Sequence, residues 1–211
     1  MFIDIHTHQS GDSAHPSILN LTFAEAESIF SSDEKGLFSV GFHPWQVDEF
    51  SVEWLQKLKK WAKDKRCVMV GECGLDKNSK ASLETQISVF EKQITLSEEI
   101  QKPLIIHCVG CFNELFALKK QINPRQKWII HGFRGKPELA KQALKAGFEL
   151  SFGEHFNPES ISLTPIDRLF IETDESHLSV VEIYRQIALI KKITPEELIA
   201  GELLLQKQFS K

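Results

Sequence analysis

Short apolar runs alternate with amphipathic stretches along nearly the whole chain. Eight runs, at residues 2–5, 18–23, 37–42, 67–72, 103–108, 128–132, 148–152 and 169–173, are rich in Ile, Val, Leu and Phe and mostly lack polar alternation. Strands covered on both faces carry this pattern, because neither face meets water. Each run is therefore predicted to be a strand of a parallel sheet. Between them, residues 51–65 bring Trp54, Leu55, Leu58, Trp61 and Ala62 to one helical face, and residues 82–100 do the same with Leu83, Ile87, Phe90 and Ile94. Residues 136–146 predict another helix, with Pro137 in its first turn and Gly147 as a stop signal. Thr194-Pro195-Glu196-Glu197 is a capping box with proline at the first helical position, and Thr22 with Glu25 predicts a short helix capped in the same way.

Strands alternating with helices predict an α/β fold, specifically a TIM-type (β/α)8 barrel. Such barrels hold about 250 residues, so a chain of 211 residues is a trimmed one. The shortage falls at residues 9–17 and 153–165, where a parallel crossover of about a dozen residues barely fits. Weak or missing helices are expected there, after strands 1 and 7. An open doubly wound sheet is the alternative. No repeat, low-complexity tract or linker interrupts the pattern, and the length suits one well-buried domain over 1–211.

Composition narrows the partners. With 26% charged residues and a net charge of −4, the chain lacks the basic excess of a protein that coats duplex DNA. A nucleic-acid substrate stays open, since bound metal ions supply positive charge locally. No run reaches the roughly 18 apolar residues of a membrane span, and Met1-Phe2-Ile3-Asp4-Ile5-His6 reads as a strand rather than a leader. A cytoplasmic protein with no membrane contact and no obligate protein partner is expected. Cys108 and Cys111 form a C-x-x-C, but no second pair completes a zinc site, so Cys67, Cys73, Cys108 and Cys111 are expected to be reduced thiols.

The chemistry lies at the strand ends. His6 and His8 close the first strand two residues apart, and period-2 geometry sends both imidazoles to one side. That spacing suits chelation of a divalent ion. Glu72 ends the fourth predicted strand, His107 the fifth, His131 the sixth and Asp174 the eighth, each directly after an apolar run. In a parallel barrel the C-terminal strand ends share the face where active sites sit. Six such groups exceed the needs of one tetrahedral ion. Two ions, or one with an expanded shell, follow.

The segments Asp4-Ile5-His6-Thr7-His8, Gly41-Phe42-His43-Pro44, Gly71-Glu72-Cys73-Gly74-Leu75-Asp76, Pro103-Leu104-Ile105-Ile106-His107-Cys108, His131-Gly132-Phe133-Arg134-Gly135 and Glu172-Thr173-Asp174, with the helical run Gln86, Phe90, Gln93 and Leu96, span most of the chain. As a set they resemble the TatD family of metal-dependent deoxyribonucleases, within the wider amidohydrolase-like barrels. The resemblance implies divalent-metal hydrolysis of phosphodiester bonds. It also implies two ions (Mg, Mn or Zn) on His6, His8, Glu72, His107, His131 and Asp174, with Glu72 bridging them. The substrate end departs from the family pattern. Lys77 stands where an aromatic is frequent, Val109 where an arginine is frequent, and Arg134 where a small polar residue is common.

The catalytic set read this way is Asp174, Glu72 and His43. Two ions about 3.5–4 Å apart clamp the attacking and leaving oxygens of a phosphodiester, and Asp174 is placed to accept the proton of the attacking water or to act as a ligand only. His43 is assigned to a substrate phosphate, against a bond to the Pro44 turn. Arg134 and Lys77 are assigned to phosphate oxygens, against plain solvation. Glu172 is in phase with Asp174 and is expected to line the site or support a ligand. Asp4 is in phase with His6, as a deeper hydrogen-bond partner. His155 and His177 are given no role beyond pocket lining, and Lys57, Lys59, Lys60, Lys63, Lys65 and Arg66 form a solvated helix face. The expected substrate is nucleic acid, DNA first, or a small phosphodiester. The competing functions are an amidohydrolase for small amides or esters and a degenerate barrel without catalysis. The first competitor usually places a lysine on the fourth strand, where this chain has Glu72.

Overall fold

The computed structural model of the chain describes residues 2–9 and 14–199. Among these residues every predicted apolar run overlaps a strand. The order is β1 (Asp4–Thr7), β2 (Ser17–Leu21), α1 (Phe23–Ile29), β3 (Leu37–Val40), α2 (Val52–Ala62), β4 (Cys67–Asp76), α3 (Leu83–Ile100), β5 (Leu104–Val109), α4 (Phe112–Ile122), β6 (Trp128–Ile130), α5 (Pro137–Lys145), β7 (Glu149–Phe152), α6 (Pro158–Leu163), β8 (Leu169–Ile171) and α7 (Val180–Lys191). The residues group into two compact units, Asn20–Trp128 and Met1–Leu19 with Ile129–Lys211.

In the unit Asn20–Trp128, β4 pairs in parallel with β3 on one side and β5 on the other. All ten residues of β4 are buried, which explains its run of Val, Met, Cys and Leu. The strand runs past Glu72, where the apolar pattern predicted its end. The register with β5 shifts between Val70 and Cys73, then resumes as Cys73↔Ile106 through Asp76↔Val109. Glycine makes the shift possible. Gly71 sits at φ +134°, and a Cβ there would meet the Ile105 carbonyl oxygen. Glu72 is thus an interior residue of a long, kinked strand.

Of the two predicted capping boxes, the one at Thr22 closes in full. Thr22 accepts from the Glu25 amide, and the Glu25 carboxylate accepts from the Thr22 amide at 2.8 Å. Phe23 therefore begins α1 instead of ending the second strand. Ser51 and Ser82 cap α2 and α3. At Thr194 only half of the box forms: its amide and hydroxyl both donate to the Glu197 carboxylate, while the Glu197 amide donates to the Thr194 backbone carbonyl at 3.2 Å, over a 3-10 turn, Pro195–Ile199. Two buried glutamines of α3 act as backbone substitutes. Gln93 exchanges both its amide groups with the Phe42 backbone, and Gln86 does so with Asp76. They fix the ends of β3 and β4.

In the other unit, β1 pairs with β2, β6 with β7 and β7 with β8, all in parallel. The chain beyond β8 pairs with β1. The Asp174 amide donates to the His6 carbonyl at 3.0 Å, and the His8 amide donates to the Asp174 carbonyl at 3.1 Å. Phe148, Leu150, Phe152, Phe170 and Tyr184 are fully buried here. The trimming falls where it was expected. Among the described residues no helix lies between β1 and β2, and only the six-residue α6 and a 3-10 turn connect β7 to β8.

Candidate metal centre

Each unit gathers its own set of histidine and carboxylate donors. In the unit Met1–Leu19 with Ile129–Lys211, His6 is fully buried on β1 and His8 stands just beyond it, with ring centroids 5.0 Å apart. The Asp174 carboxylate lies 3.7 Å from Nε2 of both rings. These gaps exceed a hydrogen bond. The His131 ring is 4.6 Å from that of His6. Ligand atoms of His6, His8 and Asp174 lie within 4.8 Å of one another, as do those of His131, Glu172 and Asp174.

Buried groups hold these donors in place. Glu172, fully buried, faces His131 Nδ1 at 3.3 Å and accepts from the Gly132 amide at 2.5 Å. Burial alone would raise its pKa, but His131 and His6 outweigh it and hold the carboxyl below its usual range. A carboxylate on Nδ1 fixes the tautomer and leaves Nε2 of His131 as the basic nitrogen. Asp4 accepts from the Thr173 hydroxyl at 2.6 Å and amide at 3.0 Å, and from the His6 amide at 3.3 Å. Burial pushes its pKa up to about 6 despite these bonds. Asp4 and Glu172 thus take the supporting places their strand phase predicted.

In the unit Asn20–Trp128, Glu72, His107 and His43 converge, again with ligand atoms within 4.8 Å. Glu72 Oε1 is 2.7 Å from His107 Nδ1 and 3.4 Å from His43 Nε2. The Glu72 amide donates to Asn20 Oδ1 at 2.8 Å, which anchors the kink. Nε2 of His107 faces Asp76 Oδ2 at 3.1 Å. His107 therefore stands between two carboxylates. A proton on Nε2 serves Asp76 and leaves Nδ1 as an acceptor opposite Glu72. A proton on either group, or a metal ion bound by both, brings two such atoms that close. The donor set therefore fits a divalent ion.

Asp76 was quoted in the sequence only as part of a matching segment. It is 1% exposed and also accepts from the Trp45 indole N–H at 2.7 Å and the Asn78 amide at 2.8 Å. Burial works against its charge, but the Asn78 amide, His107 and Trp45 together hold its carboxyl below the usual range. A strand ending at Glu72 leaves Asp76 beyond it, so the sequence pointed to no role for this carboxylate, and the continuation of β4 to Asp76 brings it to His107. Trp45 had no signal beyond its position after Pro44.

The remaining predicted residues divide. Arg134, His155 and His177 line a cleft of about 290 Å³ with Glu172 and Asp174. His43 makes the turn bond weighed for it. Its Nδ1 accepts from the Trp45 amide in the turn at 3.2 Å, while Nε2 faces Glu72. Lys77 is exposed, and its side chain lies over Gly110. Among the described residues all four cysteines are free thiols, and burial pushes Cys67 and Cys108 up to about 12, which suits neither redox exchange nor zinc binding. No described helix is long and apolar enough to cross a membrane.

Comparison with known proteins fixes the class. The fold matches the crystal structure of YjjV, a TatD homologue from Escherichia coli K12, with a TM-score of 0.81 and 19% identity over 99% of this chain and 97% of that one. The chain is a TIM-type (β/α)8 barrel carrying histidine–carboxylate donor sets near the C-terminal ends of its strands. A model of the TatD-related DNases matches residues 13–201, and the chain belongs to that family. An uncharacterized metal-dependent hydrolase of Buchnera aphidicola is 35% identical over 161 residues, 72% of this chain and 60% of that protein. A 3'-5' ssDNA/RNA exonuclease, TatD of Erwinia billingiae, is 31% identical over 151 residues, 66% of this chain. The chain thus spans about three fifths of the length of these two relatives.

Proposed function

We propose that residues 1–211 make one divalent-metal-dependent hydrolase domain that cleaves phosphodiester bonds of single-stranded nucleic acid, DNA first, in the cytoplasm. The observation that carries the reading is the pair of donor sets, each of imidazole and carboxylate groups within 4.8 Å of one another. The family supports the substrate class, as does the relative named a 3'-5' ssDNA/RNA exonuclease. His6, His8, His131 and Asp174 would hold one ion, and Glu72 with His107 a second, both Mg, Mn or Zn. Bound ions would neutralise phosphate charge and bring a water to the verge of ionisation near neutral pH.

The chain's own groups do the rest. Asp174 accepts the proton of the attacking water, since its carboxylate opens onto the cleft while its backbone is pinned to β1. His43, with Nδ1 occupied as an acceptor, carries its proton on Nε2 and donates it as a hydrogen bond to a substrate oxygen. Arg134, beside Asp174 in the cleft, takes a phosphate by its guanidinium fork. Lys77 contributes a point charge at the end of β4.

Metal-loaded protein is expected to degrade a labelled single-stranded DNA and to stop when EDTA is added. Glu72→Ala should lower the rate by at least about 10² and remove metal measured by elemental analysis. Activity that survives both treatments would show the site to be misassigned. Hydrolysis of small esters without any cleavage of nucleic acid would transfer the assignment to the amidohydrolase class.

A further inference from the structure

We infer that Trp45 is a stacking platform for one unpaired nucleobase of the substrate, standing beside the Glu72–His107 donor set. The inference rests on the nuclease reading above and names the contact that would hold the base. Trp45 is 65% exposed. Leaving an indole in water forgoes most of its burial energy, so packing does not explain the residue. Among the described residues the other exposed large hydrophobics, Val52 and Leu189, lie on the helices α2 and α7. Trp45 lies on the loop after β3, with its ring 5.2 Å from His43 and 6.5 Å from His107.

The ring is exposed yet fixed. Its Nε1 donates to the buried Asp76 carboxylate at 2.7 Å, and its amide donates to His43 Nδ1 at 3.2 Å. The loop beneath it is tied twice more. Ser79 Oγ donates to the Pro44 carbonyl at 2.8 Å, and the Gln46 amide donates to the His43 carbonyl at 2.9 Å. A side chain held this way loses little rotamer freedom when a ligand arrives. It presents a flat π-face to solvent next to groups that handle phosphate. Every nucleobase has a π-face, so a stacking platform accepts any base and requires only that the base be unpaired. The geometry therefore selects single strands or frayed ends by shape, with weak sequence preference. Asp76 links the two tasks, because one carboxylate oxygen meets both the indole N–H and His107 Nε2.

The test is fluorescence anisotropy with a short fluorescein-labelled oligothymidylate and a matched series carrying one abasic site walked along the strand. Wild type, Trp45→Ala and Trp45→Phe are compared, with circular dichroism melts to establish that each is folded. Trp45→Ala is expected to raise Kd on the order of tenfold, and Trp45→Phe to retain most of the affinity. At one position the abasic site should cost the wild type the same factor and cost Trp45→Ala nothing further. Unchanged binding by Trp45→Ala, with the wild type binding and cleaving normally, overturns the platform and leaves the nuclease reading standing. So does a wild-type series in which no abasic position is sensitive, a result that needs no variant to fold. A wild type that neither binds nor cleaves any oligonucleotide overturns both.

Discussion

His107 shows how single atoms set the chemistry here. Asp76 holds its Nε2 at 3.1 Å, and Nδ1 faces Glu72 at 2.7 Å. A charged partner on the far nitrogen raises the basicity of the near one, and losing such a partner typically weakens a metal site 10- to 100-fold. Asp76→Asn keeps the shape and an acceptor but loses the charge. It is expected to weaken Mn²⁺ binding by roughly that factor in calorimetric titration, with the fold intact. Equal affinity in the variant would mean that His107 is not a ligand. Most of the candidate donors that converge could be picked out of the sequence at this scale, because His6 and His8 obey the strand period and His131 and Asp174 follow apolar runs. Asp76 and Trp45 could not be assigned roles, because a hydrogen bond between residues 31 apart in the chain leaves no local trace.

At the scale of elements, β4 carries the most consequence. An apolar run predicts where a strand starts, and the expected end fell on the polar Glu72. The strand continues because Gly71 and Gly74 adopt φ of +134° and +136°, which lets β4 shift register and keep pairing with β5. Gly71→Ala would force a side chain into that conformation and against the Ile105 carbonyl. A loss of roughly 2–4 kcal/mol is expected, read as a lower denaturant midpoint with an unchanged m-value. A variant as stable as the wild type would show that the kink does not depend on glycine. The helices were easier to read than the strand ends. Ser51, Ser82 and Thr22 cap through bonds three residues long, so their signals are local and survive in the sequence.

For the whole molecule, the donor sets depend on folding, since His6 and Asp174 or Glu72 and His107 meet only in the native state. An ion bound there stabilises the folded state alone. At a free concentration about a hundredfold above Kd the gain is about 2.7 kcal/mol. For a chain of this size that corresponds to a rise of about 5–10 °C in Tm. Calorimetry with and without Mn²⁺ after EDTA treatment measures it, and coincident melts would remove the case for a native ion site. The sequence by itself determined the strand and helix alternation, most of the caps, the types of candidate donor group and the trimmed crossovers, because periodicity and capping act between near neighbours. Tertiary structure alone decided that β4 runs through Glu72, that Asp76 backs His107 and that Trp45 stays in water on a rigid loop. Those outcomes depend on which distant backbone and side-chain groups meet, and no spacing along one chain encodes that.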